Sequence, residues 1–182
     1  MVFEDYSDCI RVQRVLAARM GRFALTLHEE KTRLVDFRPK RLQGCVNEQA
    51  TTFNFLGFSH VWGKSRKGNN VVRQYTAKDR YSKAVKALNE WCRTNRHRPI
   101  GEQHGKLKLK MQGHYAYYGI TGNSKRIQWY AEQAEKIWQK WLARRTRNGN
   151  IPWERFSKML QRLPLPRPRI VHQYTRSSET AS

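Results

Sequence analysis

The sequence predicts an α+β fold in which a small β-hairpin region precedes a mostly α-helical bundle. Strand-like alternating and aromatic segments are confined to residues 1–75, and apolar residues recur every three to four positions from Thr76 onward. The 38% hydrophobic content of the 182 residues is sufficient for a compact core. We therefore expect a strand-containing region over 1–75, a helical region over 76–172 and a disordered tail over 173–182.

In the first region, Ser7 is expected to cap a helix that stops at Gly21. The segments FALTL and TRLVDF predict a hairpin over residues 23–37, followed by a loop over 38–50. The aromatic run TTFNFLGF predicts one strand, and the basic turn GKSRKGNN separates it from a further strand, VVRQY.

Four helices are predicted in the second region. Thr76 and Asp79 fit a capping box before the first helix, whose apolar series is Tyr81, Val85, Leu88, Trp91 and Cys92. The second is expected over 100–118, the third from Ser124 to about Arg145, and a short fourth begins with Pro152 at its first position, before the extended segment LPLPRPRI. The third has an apolar stripe opposite three stacked cations; the stripe is Ile127, Tyr130, Ala134, Ile137, Trp138 and Trp141, and the cations are Lys136, Lys140 and Arg144.

The charge balance indicates a polyanionic partner. Lys and Arg number 36 against 14 Asp and Glu, which gives a formal net charge of +22 and makes nucleic acid the expected ligand. No apolar run approaches the roughly 18–20 residues of a membrane-spanning helix, and the N-terminus lacks the apolar segment of a signal peptide, so we expect a soluble, cytoplasmic protein with no membrane partner.

Basic residues cluster among aromatic rings, a combination suited to neutralising phosphates and stacking on unpaired bases. In GHYAYYGITGNS, Tyr115 and Tyr118 are expected in the core, as are the tryptophans of the third helix, whereas His114 and Tyr117 are expected to stack on bases. The candidate RNA-binding residues are Lys64, Arg66, Lys67, Arg93, Arg96, His97, Arg98, Lys106, Lys108, Lys110, His114, Tyr117, Lys125, Arg126, Lys136, Lys140, Arg144 and Arg145.

The sequence offers no catalytic residue and no metal site. The three cysteines and six histidines are scattered without ligand spacing. Asp5 and Asp8 fit a helix start, where the helix dipole favours negative charge, and Glu29 and Glu30 fall in a predicted turn. There is no P-loop, nucleophile elbow or GxGxxG motif.

Several long phrases resemble the C-terminal part of bacterial group II intron reverse transcriptase/maturases. They are RFALTLHEEKTRLVDF, TTFNFLGFSHVWGKSRKGN, LNEWCRTNRHRPIGEQHGKLKLKMQGHYAYYGITGNSKRI and WERFSKMLQRLPLPRPRIVH. The resemblance implies that residues 1–75 are the last pieces of a polymerase palm, and that residues from about 76 are the thumb and maturase region (domain X). In that family this helical region grips intron RNA during splicing.

One departure from the family pattern limits what is implied. In the family, the fingers and the metal-binding aspartates of the palm, including the YADD-type motif, come before the segment that begins here with MVFED, and no such motif occurs in these residues. Three interpretations stay open: an RNA-binding maturase-type fragment, the C-terminal half of a split RNA-directed DNA polymerase that needs a separate fingers/palm chain, or a non-specific nucleic-acid-binding remnant. No cofactor is expected in this chain, and Mg²⁺ only in a complete polymerase.

Overall fold

A computed structural model of the protein describes residues 5–28, 52–65, 67–145 and 149–173, together with Phe3, Thr32, Leu34, Val35 and Phe37. Helices and a small antiparallel sheet confirm the predicted α+β class. The elements are α1 (Tyr6–Gly21), β1 (Phe53–Phe55), β2 (Phe58–Lys64), β3 (Asn70–Thr76), α2 (Lys78–Thr94), α3 (Ile100–Tyr118), α4 (Ser124–Ala143) and α5 (Trp153–Arg162).

The chain forms two compact units, residues 1–38 and 39–182. The sheet therefore belongs to the same unit as α2 to α5, and position 76 marks a change from strand to helix inside that unit. The assignment of 1–75 and 76–172 to palm and thumb stays a prediction. Apart from Gln173, the predicted tail lies outside the described residues, as does the predicted loop over 38–50.

In the first unit, Asp5 rather than Ser7 caps α1, because its carboxylate accepts a hydrogen bond of 2.9 Å from the Ser7 N–H. The helix ends in a Schellman motif: the Leu25 N–H donates to the Met20 carbonyl at 3.1 Å, and Ala24 takes φ of +55°. The predicted strand at 23–27 is wrong because this motif uses the N–H groups that a strand would pair. The second predicted strand is described at only four positions, none in a strand.

In the second unit, the run FNFLGF forms a hairpin instead of one strand. Leu56 and Gly57 have φ of +47° and +81° and form the two-residue turn between β1 and β2. The strand β3 pairs along β2 as predicted from VVRQY, with Phe58 opposite Thr76. The strand order is β1-β2-β3.

Helices α2, α3 and α4 enclose the core, as their apolar periodicity predicted. Buried Leu88 and Cys92 of α2 pack with residues of both other helices, and Phe156 of α5 packs beside Trp138. The predicted stripe of α4 is buried at every position. The Trp138 Nε1–H donates to Gln103 Oε1 at 3.1 Å, so the one polar atom of this ring is satisfied inside the core.

A buried amide joins the sheet to the helices. Asn123, 0% exposed, accepts a hydrogen bond of 3.0 Å from the Thr76 N–H. Its Nδ2 donates to Thr76 Oγ1 and to the Tyr118 carbonyl, both at 2.8 Å. The predicted capping box at Thr76 is therefore wrong: its hydroxyl pairs with Asn123, and Ala77 stands at the N-cap of α2 without a side-chain cap.

The segment after α5 lies along α3. The His104 Nε2 is 3.0 Å from the Pro164 carbonyl, and the Val171 N–H donates to the Gly119 carbonyl at 2.7 Å. A Cβ at Gly119 would collide with the Tyr115 carbonyl and lie 2.7 Å from the Arg169 carbonyl. Prolines at alternate positions cannot donate to a ladder, which suits this segment to an extended path. We call residues 163–172 the strap.

The two tryptophans at positions 129 and 138 test the helical phase of α4. They are nine residues apart, and at about 100° per residue they lie on opposite sides of the helix. Trp138 is 0% exposed and Trp129 is 46% exposed. Trp138→Ala is expected to lower the free energy of unfolding by about 3–5 kcal/mol, and Trp129→Ala by less than about 1 kcal/mol. Urea denaturation measures both; equal losses would contradict the phase.

Asn123 offers a second test of the fold. Asn123→Ala removes the acceptor of the buried Thr76 N–H, at a cost of about 1–3 kcal/mol for a buried group left unsatisfied, whereas the Tyr118 carbonyl keeps its 2.9 Å bond from the Ile120 N–H. The expected result is a lowered midpoint in thermal or urea unfolding. Asn69→Ala, at an exposed position in the β2–β3 loop, is the control and should change stability by less than about 0.5 kcal/mol.

Candidate nucleic-acid interface

One exposed side of α4 has the strongest combination of positive charge and aromatic surface. Its members recur at three-, four- or seven-residue intervals, so they lie in one row along the helix. We call this row the α4 ridge: Arg126, Trp129, Lys136, Lys140 and Arg144. The first and last members of the row are 18 positions apart, or about 27 Å at about 1.5 Å per residue. The three cations predicted opposite the apolar stripe are all exposed.

At one end of the ridge, three cations converge on a single indole ring. The guanidinium of Arg144 is 4.9 Å from the centroid of the Trp141 ring, the Lys140 ammonium is 5.3 Å away and the Arg96 guanidinium is 6.0 Å away. The Trp141 Nε1–H is fixed by a 2.9 Å bond to Asn89 Oδ1 of α2. The ring quadrupole attracts each cation and so holds three like charges together.

At the other end, an exposed ring lies beside a cavity. The Arg126 guanidinium is 5.0 Å from the Trp129 ring centroid and 5.9 Å from that of Tyr81 on α2. A cavity of about 530 Å³ is lined by Trp129 together with Lys125 and Arg169. The prediction that every tryptophan of this helix is buried was therefore wrong for Trp129. The signal in the sequence was its spacing of nine residues from Trp138, which places the two rings on opposite sides of the helix.

The ridge cations have no carboxylate partner within the described residues. The ion pairs found there involve Arg11, Arg80, Arg93 and Arg98. Arg93 binds Glu90 at 2.6 Å and Arg98 binds Glu102 at 2.6 Å, so these two candidate residues are already partly neutralised. The charge of the ridge is therefore available to an external anion to a greater degree than the charge of these paired arginines.

The remaining basic candidates lie on other elements. Lys106, Lys108 and Lys110 are exposed on α3, and the Lys110 ammonium is 5.5 Å from the Trp91 ring. Lys64 and Lys67 are exposed at the β2–β3 turn. His97 is exposed after α2, and Arg145 follows α4. Arg66 lies outside the described residues. The structure thus joins Arg96 to the α4 ridge and leaves the α3 and sheet lysines on separate elements.

His114, expected to stack on a base, already stacks on another ring of the chain. Its imidazole lies 3.7 Å from the Tyr130 ring at an interplanar angle of 15°, and 4.7 Å from the Tyr118 ring. Burial lowers the pKa of His114 to about 4, and burial also raises the pKa of Tyr130 to about 12. Both rings are therefore uncharged near neutral pH.

Tyr117 is half exposed but anchored. Its hydroxyl donates to the Leu56 carbonyl at 2.7 Å, and its ring stacks 5.8 Å from Phe58. The segment that follows His114 thus holds the β1–β2 turn against the end of α3. Tyr115 is buried as predicted, and Tyr118 is half-buried, 5.4 Å from Phe58. Of these four rings, Tyr117 alone counts among the exposed residues, at 51%.

The described residues contain neither a metal-binding cluster nor a membrane-spanning helix. No cluster of three or more His, Cys, Asp or Glu side chains that could hold a metal occurs there. Likewise, in that part of the chain no helix combines the length and the apolar character needed to cross a membrane.

The stacked position of His114 predicts a pH dependence of stability. Its folded pKa of about 4 lies below the ordinary 6.5, so between these values the unfolded chain binds more protons than the folded one. The free energy of unfolding should therefore decrease as pH falls from about 6.5 to 4. Urea denaturation of wild type and His114→Gln at pH 7.0, 6.0 and 5.0 measures this. Parallel curves for the two proteins would show that His114 contributes nothing.

Comparison with known proteins leaves the chain without an assigned family. No protein-family model matches it. No curated protein and no solved structure matches it either. The resemblance to maturases therefore stays an expectation, and what this protein does is inferred from its own residues.

Proposed function

We propose that this protein is an RNA-binding maturase-type fragment that stabilises folded group II intron RNA for splicing. The α4 ridge is the observation that supports the proposal most directly, because it places unpaired cations and an exposed indole in one row. In this proposal the RNA performs the splicing chemistry and the protein supplies phosphate neutralisation and base stacking.

The dimensions of the ridge suit an RNA backbone. A row of about 27 Å passes several phosphates of a folded strand. Lys140, Arg144 and Arg96 lie around the Trp141 ring, so their charges are concentrated at one point. Such a concentration of charge suits a place in a folded RNA where two backbones come close together. Phosphates bound at this point would reduce the repulsion among the three cations.

The exposed ring favours RNA with unpaired bases over a regular duplex. Trp129 lies at the rim of the 530 Å³ cavity, where an unstacked base could rest on the indole while Lys125 and Arg169 approach its phosphates. Sequence-tolerant stacking of this kind contributes about 1–3 kcal/mol per base. Loops and bulges of a structured RNA supply such bases, whereas duplex DNA keeps its bases paired.

A second candidate function is supported by the sheet. Phe55, Leu56 and Val72 are 59%, 68% and 43% exposed, so the sheet and its β1–β2 turn present apolar surface to solvent at three positions. This surface would be covered if the chain completed a split RNA-directed DNA polymerase by docking on a separate fingers/palm polypeptide. That polypeptide would have to supply the Mg²⁺-binding aspartates, and it is the partner that this second candidate requires.

A filter-binding titration tests the RNA proposal. Full-length protein is titrated against folded group II intron RNA at several salt concentrations, with duplex DNA and unstructured RNA of equal length as competitors. The triple variant Lys136→Gln, Lys140→Gln, Arg144→Gln is expected to bind more weakly, and the slope of log affinity against log salt should become shallower by about 2–3. Trp129→Ala should weaken binding without changing that slope.

The triple variant Arg11→Gln, Arg14→Gln, Arg19→Gln is the matched control, because it removes the same charge from exposed positions of α1. Its binding curve should stay close to wild type. An equal loss in the two triple variants would mean that net charge, not the ridge, determines binding. If duplex DNA and unstructured RNA compete as well as folded intron RNA does, the protein is a non-specific nucleic-acid-binding remnant and the maturase-type proposal is wrong.

A further inference from the structure

A second basic site lies outside the α4 ridge. A cavity of about 820 Å³ opens between the end of α4, the start of α3 and α5. Its apolar lining is formed by Ile100, Leu142, Ile151, Phe156 and Met159. This volume falls in the range of cavities that hold single small ligands, about 300–1,000 Å³.

Four cations line the same cavity. Arg155, Lys158 and Arg162 recur at intervals of three and four residues on one face of α5, and Arg145 comes from the turn after α4. No carboxylate is among the lining residues, and within the described part of the chain none of the four takes part in an ion pair. The cavity therefore combines an apolar lining with uncompensated positive charge.

Arg145 has one side-chain donor that is unsatisfied within the described residues. One of its terminal nitrogens, Nη1, is buried and has no hydrogen-bond partner within the described residues. Leaving a charged donor of this kind unpaired costs more than leaving a neutral one, and native proteins seldom do so. An anion bound beside Arg145 would provide the missing acceptor.

The chemistry of the cavity restricts the ligand. Three guanidinium groups and an ammonium exceed what one carboxylate can neutralise, whereas consecutive phosphates offer several charged oxygens that match the arginine fork. A concave space of this volume excludes the uninterrupted backbone of a duplex but admits one nucleotide. The apolar lining suits a base or ribose better than a bare inorganic ion, which would leave that surface uncovered.

We propose that this cavity binds a nucleoside polyphosphate, with the phosphates on Arg145, Arg155, Lys158 and Arg162 and the nucleoside against the apolar lining. The same group could come from a free nucleotide or from the 5′ end of an RNA chain. The site shares no residue with the α4 ridge, so it can exist whether or not the ridge binds intron RNA.

Isothermal titration of the full chain with GTP tests the site, with guanosine and inorganic phosphate as comparison probes. Wild type should bind GTP more tightly than either probe. The triple variant Arg155→Gln, Lys158→Gln, Arg162→Gln should weaken GTP binding about tenfold or more, since charged hydrogen bonds are removed. The α1 triple variant, Arg11→Gln, Arg14→Gln, Arg19→Gln, removes equal charge from exposed positions that do not line the cavity and should leave GTP affinity within about twofold.

A variant that fills the cavity separates its shape from its charge. Met159→Trp adds volume to the lining without changing net charge and should abolish GTP binding while the salt dependence of RNA binding is unchanged. Thermal unfolding checks that each variant is folded. Equal weakening by the pocket and α1 triple variants, or GTP binding that survives Met159→Trp in a folded protein, would overturn the proposal, as would guanosine binding as tightly as GTP.

Competition by RNA oligonucleotides then decides the source of the polyphosphate. If a 5′-triphosphate RNA displaces GTP better than the same RNA with a 5′-hydroxyl, the site takes the end of an RNA chain. If neither RNA displaces GTP, it takes a free nucleotide. Both results support the site. Displacement by the two RNAs to an equal degree contradicts it, because the contact would then be with internal phosphates.

Discussion

The second unit depends on the hydrogen bonds of one buried side chain. Asn123 accepts from the backbone where β3 ends and donates to the backbone where α3 ends, and it stands itself at the N-cap of α4. Burying a side-chain amide is unfavourable unless its donors and its acceptor are paired. The hydrogen bonds of Asn123 are all formed only when β3, α3 and α4 take this relative position. That position sets the start of α4, and hence which of its residues meet solvent.

A long basic surface on α4 requires something to offset its self-repulsion. The chain uses aromatic rings for this purpose more than carboxylates. Trp141 faces three cations and Trp129 faces one, whereas the ion pairs found among the described residues of this unit involve Arg80 and Arg93 of α2 and Arg98, which precedes α3. A carboxylate would neutralise the charge, but an aromatic ring stabilises a cation without cancelling it. The ridge therefore keeps a field that attracts phosphates.

Periodicity was sufficient to predict α2, α3 and α4, because each presents a regular apolar stripe to one core; the bounds of α3, Ile100–Tyr118, agree with the prediction. The sequence did not predict the hairpin at Leu56-Gly57 because leucine rarely adopts the positive φ that this turn requires. The convergence of Arg96 with Lys140 could not be read from spacing, since it requires α2 to lie beside α4. A different tertiary contact, between α3 and α4, explains why His114 meets Tyr130 instead of solvent.

The strap has a consequence for the order in which the chain can fold. Gly119 and its partner Val171 are far apart in sequence, so the α3–α4 turn lacks these bonds until the strap has been synthesised and has emerged from the ribosome. Closing such a long loop lowers the chain entropy before any stabilising contact forms, which delays the folding of this unit. During that interval the nascent helices carry their full basic charge next to ribosomal RNA, a polyanion always present at the site of synthesis.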